Sequence, residues 1–325
     1  MRISILLSDL HIAPFKEEKF KTQQKNFIEW IIQFFANVLQ KKEKNIYEKM
    51  KKVVGEKMIN VGISNGDLME SVATERGWAT KQDVEAAKEV VQELKNNLSL
   101  KKLELNMGNH ESGYILPLST DNNGGVSLQS VRNFLVVAKR DKLYHSFLLE
   151  GFQFIFVPYL FTEQVAKDFD LSKEKKKFLT EMEKEFSFSK TPIILFVHDP
   201  DSLMDEDLLS LIRVNRKKIK AIFYGHYHSW MNLFFSKILV NIFNCWWLLP
   251  LRMLANAIFW IISGKDMRIV RVLGKYFQLR KNIPAIIKEL KMTLIPAPTG
   301  MFGIGGGFLV LEISDNGKLE IIKYD

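Results

Sequence analysis

The stretch Ile3-Ser4-Ile5-Leu6-Leu7-Ser8-Asp9-Leu10-His11 decides the fold. Its apolar run, Ile3 to Leu7, has the length of a buried strand, and Pro14 stops it soon afterwards. A carboxylate and, two residues on, an imidazole follow at the strand's C-terminal end, where open α/β sheets gather their ligands. Side chains two apart on an extended chain point the same way. An oxygen and a nitrogen donor then converge on one point, a pair that suits a divalent metal. Alone, an Asp-x-His pair fits a strand-end turn with a capping Asp equally well. The rest of the chain must supply further donors.

Four more apolar runs end in the same way. Met58 to Ser64 runs into Asn65-Gly66-Asp67, and Leu103 to Met107 into Gly108-Asn109-His110-Glu111. Ile193 to Val197 runs into His198-Asp199-Pro200, and Ala221 to Tyr224 into Gly225-His226-Tyr227-His228. Five of the six histidines fall in these clusters, so chance placement is a poor account of them. The sixth, His145, reads as structural. Carboxylates, imidazoles and one amide carbonyl make a donor set for a two-metal hydrolytic site. Asp199 either supports that set or makes a turn with Pro200. The glycines Gly66, Gly108 and Gly225 allow tight turns at the strand ends.

Between these strands the pattern turns helical. Phe20, Phe27, Trp30, Ile31, Phe34, Phe35, Val38 and Leu39 recur at helical spacing, and 41–57 continues that helix or forms an exposed loop. Residues 80–97 read as a helix, with Thr80 as N-cap and Asp83 three residues on. Asp121 to Gly125 reads as a turn, Phe147 to Leu149 and Phe152 to Val157 as a hairpin bent at Glu150-Gly151. The Lys/Glu-rich stretch 163–186 reads as a surface helix, and 203–213 as a short one. A closing hairpin, Phe308 to Ile313 and Leu319 to Ile322, turns at Asp315-Asn316-Gly317. The glycine-rich run 303–307 lacks a following Lys-Ser/Thr and precedes a strand, so it is no phosphate loop. Strands alternating with helices imply α/β layering.

At 325 residues and 47% hydrophobic content the chain supports a sizeable core. The single cysteine, Cys245, excludes an internal disulfide and suits a reducing compartment. No secretory signal is expected, because the apolar run at 3–7 is too short. The net charge of +9, with a pI of about 9.3, favours polyanionic partners: nucleic acid, anionic lipid or a phosphorylated substrate.

The five blocks Asp9-Leu10-His11, Gly66-Asp67, Gly108-Asn109-His110-Glu111, His198 and Gly225-His226-Tyr227-His228, in this order, resemble the signature of calcineurin-like metallophosphoesterases. The resemblance covers residues 1–228 and the closing 292–323. It implies a two-sheet α/β sandwich flanked by helices and two divalent metal ions, with Mn, Fe and Zn all suited to the ligands. Asp9, His11 and His228 would hold one ion and Asn109, His198 and His226 the other, with Asp67 bridging them. A bridging hydroxide would attack phosphorus, and His110 would protonate the leaving group or steady the phosphoryl oxygens.

The resemblance does not reach 229–290, which divides the chain into a domain of 1–228 plus 291–325 and an apolar, basic helical insertion before the last strands. Trp230, Phe234, Trp246 and Trp247 belong to its apolar face, while Lys237, Asn241, Asn244, Arg252 and Asn256 make a narrow polar stripe at helical spacing. The uncharged run between Lys237 and Arg252 is too short to span a membrane. One or two amphipathic helices broken near Pro250 fit, lying on a membrane or forming a lid. A basic band, Lys265, Arg268, Arg271, Lys275, Arg280 and Lys281, favours anionic head groups. Packing on the core or against another subunit is the alternative, and the oligomeric state stays open.

The leading expectation is a phosphoester or pyrophosphate hydrolase acting on a lipid-like or membrane-associated substrate, in the cytoplasm and at the cytoplasmic face of a membrane. A nuclease or phosphodiesterase acting on nucleic acid or nucleotides is the second reading. A catalytically silent scaffold is the third, and the full set of donors speaks against it.

Overall fold

The computed structural model describes residues 2–10, 45–68, 78, 80–112, 126–161, 168–227, 280–298, 306–314 and 316–325, with isolated positions between 238 and 256. The helix expected around Phe20 to Leu39, the turn at 121–125, His11, His228, Trp230, Phe234, Trp246, Trp247 and Arg252 lie outside the described residues.

Two five-stranded sheets make the fold. The first has the order β10-β9-β1-β2-β3, built from β1 (Arg2–Leu7), β2 (Val61–Ser64), β3 (Lys102–Leu105), β9 (Phe308–Ile313) and β10 (Leu319–Tyr324). In it β1, β2 and β3 run parallel, while β9 and β10 run antiparallel to their neighbours. The second has the order β4-β5-β6-β7-β8, from β4 (His145–Leu149), β5 (Phe152–Val157), β6 (Ile193–Val197), β7 (Ile219–Tyr224) and β8 (Thr293–Leu294). There β5 to β8 run parallel and β4 is antiparallel to β5. Its β4–β5 turn has φ values of 49° at Glu150 and 76° at Gly151, the two positive values that match strand twist in a two-residue hairpin.

The continuous apolar run of β1 has a simple cause: both faces are covered. Leu6 joins Ile63, Phe154, Phe156, Ile194, Phe196 and Phe223 between the sheets. Ile5 and Leu7 pack on the opposite side with helical residues such as Met50, Ala87 and Val90. Phe154, Phe156, Phe196 and Phe223 stack across β5, β6 and β7 with ring centroids 5.1–6.0 Å apart.

Helix α1 occupies 45–57 and buries Ile46, Met50, Val53 and Val54, so this charged stretch is no exposed loop. Helix α2 (Lys81–Asn97) starts at Thr80, whose Oγ1 accepts the Asp83 N–H at 3.2 Å while Asp83 Oδ2 accepts the Thr80 N–H at 2.7 Å. Such a capping box contributes about 1 kcal/mol. The short α3 (Asn109–Ser112) and then α4 (Leu128–Ala138) follow. Helix α4 has no counterpart among the sequence expectations. Helix α5 (Phe169–Phe188) departs from the surface helix expected over 163–186: it starts later, at the Asp168 cap, and buries Leu171, Phe178, Met182 and Phe186. Those four make a stripe along one face, while lysines and glutamates fill the solvent side and dominate the composition. A 3-10 turn (Pro200–Met204) leads into α6 (Glu206–Val214). Helix α7 (Ile283–Leu290) buries Ile283, Ile286, Ile287 and Leu290 and packs on the Pro200–Met204 turn.

One buried carboxylate ties the two sheets at their edge. Glu104 on β3 accepts from His145 of β4 at 2.7 Å and from Arg140 at 3.1 Å, and pairs with Lys102. Burial pushes its carboxyl up, but hydrogen bonds from His145 and Lys102 pull it down further, to about 2. A depressed carboxylate stabilises the fold above its unfolded value and loses that contribution as pH falls through the folded one. Glu104→Gln should therefore cost up to about 3 kcal/mol at neutral pH. In urea melts, wild type and variant should converge as pH falls from about 4.5 to 2; a pH-independent gap would contradict this.

Candidate metal centre

The C-terminal ends of β1, β2, β3, β6 and β7 adjoin. Two buried amides stitch the sheets there. Asn65 Nδ2 donates to the Val197 carbonyl at 3.2 Å, and Asn106 Nδ2 donates to Asn65 Oδ1 at 2.9 Å and to the Val157 carbonyl at 3.0 Å. Each follows its strand directly, so an amide just past an apolar run was the available signal; both were missed as functional positions.

Three candidate ligands sit in a backbone region that L-residues seldom adopt: Asp9 (φ 52°), Asp67 (φ 51°) and His226 (φ 66°). Each costs on the order of 1 kcal/mol or more, and such outliers cluster where function over-determines the backbone. Only one of the three cluster glycines has a positive φ, Gly66 at 94°. Gly108 and Gly225 have a different reason to be small. A Cβ on Gly108 would lie 2.6 Å from the Asp67 nitrogen, and one on Gly225 would lie 2.7 Å from Asp9 Oδ2.

The donor atoms of Asp67, His198 and His226 lie within 4.8 Å of one another. His198 Nε2 is 3.2 Å from Asp67 Oδ2 and 3.0 Å from Asn109 Oδ1, and His226 Nδ1 is 2.9 Å from the same amide oxygen. Asp9 Oδ2 accepts the Ser8 hydroxyl at 2.6 Å and the His226 N–H at 2.9 Å. The structure thus brings together Asp67, Asn109, His198 and His226, with Asp9 against the His226 backbone. His110 donates its backbone N–H to Asp67 Oδ1 at 3.0 Å, and its half-buried ring is 3.9 Å from Asp67 Oδ2.

The surroundings prepare these donors. His198 Nδ1 gives its proton to the Asn65 carbonyl at 2.6 Å, which turns Nε2 toward the cluster. Burial alone would lower this imidazole, yet the charges of Asp67, Asp9 and Asp199 raise it to about 10. The pocket therefore carries the negative potential that a divalent cation requires, and the Nε2 proton is the one a metal would replace. By this test the donor set fits a metal. Asp199 does both things the sequence left open: Oδ1 caps the turn through the Asp201 N–H at 2.9 Å, and Oδ2 lies 3.4 Å from His226 Nε2. Glu111 is buried and accepts backbone N–H bonds from Asp67, Leu68 and Gly108 at 2.7–2.9 Å, fixing the turns on which Asp67 and Asn109 sit. Burial, then the Asp67 charge, pushes its carboxyl up to about 7.

Arg280 departs from the lipid-facing band in which its sequence neighbours placed it. It is buried and pairs with Asp201, 79 residues earlier, so sequence proximity could not reveal the contact.

Two packed sheets with a buried cluster of carboxylate, amide and imidazole donors at their joined strand ends define an α/β sandwich enzyme with a metal-type centre. The model of the calcineurin-like phosphoesterase family matches residues 4–230, and the chain belongs to that family. It is a metal-dependent phosphoester hydrolase. Among solved structures, a dimetal phosphatase from Danio rerio is 13% identical, with a TM-score of 0.40, covering 70% of this chain and 82% of that one. GAP50, the anchor in the inner membrane complex of Plasmodium, is 12% identical with a TM-score of 0.38, covering 69% of this chain and 65% of that one. No curated protein matches the sequence.

Proposed function

We propose that the chain hydrolyses a phosphoester or pyrophosphate bond in a lipid-like or membrane-associated substrate, at a dinuclear centre held by the residues the sequence singled out. Asp9, His11 and His228 would hold one ion and Asn109, His198 and His226 the other, with Asp67 serving both. The observation that carries this reading is the convergence of the Asp67, His198 and His226 donor atoms within 4.8 Å. When bound, two divalent cations acidify a water and offset charge on the phosphoryl oxygens.

The chain's own residues do the rest. Asn65 fixes the ring of His198 through its carbonyl. Asn109 offers an oxygen without charge, which keeps the loaded site attractive to phosphate. Asp67 is held by the His110 backbone N–H. The His110 ring, 15% exposed, stands 3.9 Å from Asp67 Oδ2, placed to hand a proton to the leaving oxygen.

The substrate class rests on the insertion. The isolated positions described there, 238, 241–242, 250–251, 253 and 256, are α-helical, and 248 lies in a 3-10 turn. Ile238, Leu251 and Met253 are exposed, the last at 65%. Large apolar side chains in water beside a basic sequence suit contact with an anionic bilayer at the cytoplasmic face. No helix among the described residues is long and apolar enough to cross a membrane.

The test is a substrate screen on the full chain with Mn²⁺: p-nitrophenyl phosphate, its bis-ester, and phospholipids in detergent micelles, paired with flotation on vesicles containing anionic lipid. Turnover of lipid phosphoesters and co-flotation are expected. Retention of DNA without flotation would favour the nuclease reading that the net charge of +9 supports.

A further inference from the structure

His226 lies just before the 229–290 segment read as an insertion and Arg280 lies within it, and both meet on one carboxylate. Asp199 Oδ2 lies 3.4 Å from His226 Nε2 and 3.6 Å from the Arg280 guanidinium. Arg280 also pairs with Asp201, whose own N–H binds Asp199 Oδ1 at 2.9 Å. All three side chains are buried. A buried guanidinium is costly unless carboxylates match it, and two do so here. Helix α7, which follows directly, packs on the Pro200–Met204 turn and buries Ile283 and Ile287 with Tyr224 and Tyr227, so Arg280 has little freedom to leave.

We propose that Arg280 is a positioning residue for His226. It holds the Asp199 carboxylate, with Oδ2 3.4 Å from Nε2, where its charge favours a proton on that side of the ring. Nδ1, 2.9 Å from Asn109 Oδ1, is then left as the donor toward the cluster. A ligating histidine whose far nitrogen is held by a carboxylate keeps its tautomer and orientation. Without Arg280, the Asp199 and Asp201 charges repel and Asp199 turns away, releasing the ring. The inference rests on the dinuclear reading. It also ties this segment to the metal centre through Asp199.

Mn²⁺ alone is the probe, with binding to the full chain read by equilibrium dialysis. Arg280→Met should weaken one Mn²⁺ site about 10- to 100-fold, the usual cost of losing a partner behind a ligand. Arg280→Lys, which keeps the charge but not the fork, should fall between. Asp199→Asn should weaken the same site, and Arg280→Met should add little in that background, because both act along one path. Should the Met variant fail to fold, the Lys variant and its combination with Asp199→Asn carry the same comparison. Wild type that binds Mn²⁺ while the Arg280 variants bind it equally well, with only their melting temperatures lowered, overturns this inference alone. Losses that multiply in the double variant do the same, since they place Arg280 on the Asp201 turn instead. A wild-type chain that holds no divalent ion overturns the dinuclear reading and this inference with it.

Discussion

Asp67→Ala should abolish metal-dependent hydrolysis, by about 10³-fold or more, while the chain stays folded. Asp67 is buried where the donors converge, with Oδ2 3.2 Å from His198 Nε2 and Oδ1 held by the His110 N–H. A carboxylate shared by two cations contributes several kcal/mol to holding them, and each 1.4 kcal/mol is a factor of ten in rate. The same side chain is the foremost charge raising His198 to about 10. In the chelated protein that raised value has a signature. An imidazole raised above its unfolded value stabilises fully below pH 6.5 and loses that contribution as pH rises toward 10. Urea melts in chelator should show wild type weakening over that window and Asp67→Ala changing less. A variant that keeps full activity, or a wild type whose stability is flat from pH 6.5 to 10, contradicts the role given to Asp67.

Gly66→Ala should be the most damaging single-carbon change. The backbone there has φ 94°, and an added Cβ would stand 2.7 Å from His198 Cγ and 2.8 Å from the Gly108 Cα. Left-handed backbone costs about 1–2 kcal/mol for an alanine, and crowding a packed site about 1–3 more. The sum is about 3 kcal/mol, with His198 displaced from Asp67 and Asn109. Gly151→Ala is the control, with a φ of 76° and no atom within 4 Å of the added carbon. It should lose only about 1 kcal/mol by denaturant midpoint. Equal losses at the two positions would show that backbone strain alone, and not contact with the site, sets the cost.

The polar clusters at the strand ends were legible in the sequence for a physical reason. A parallel strand covered on both faces is apolar throughout, so β1, β6 and β7 stand out, and whatever polar residue follows them stands out too. Asp9, His198 and His226 were readable in this way, while Asp67 and Asn109 follow the shorter, more mixed strands β2 and β3. The contacts behind them were not. Asn65 and Asn106 act through amides reaching across the joint between sheets, and Arg280 through a contact spanning 79 residues. Helical periodicity found α2, because Thr80 and Asp83 mark its start. It misjudged α5, where a four-residue buried stripe is outnumbered by lysines and glutamates. Short strands were overdrawn: β2 begins at Val61 rather than Met58, because Met58 turns the chain with φ 51°.

The most direct test of a metal-dependent hydrolase centred on the joined ends of β1, β2, β3, β6 and β7 is metal reconstitution. The full chain is stripped with chelator, reloaded with Mn²⁺, Fe²⁺ or Zn²⁺, and assayed for bound metal and for bis-p-nitrophenyl phosphate turnover in the same samples. Turnover should vanish on stripping and return in step with bound metal, reaching its maximum at about two ions per chain. Turnover indifferent to stripping, or a chain that binds none of the three metals and stays inactive with all of them, would contradict it.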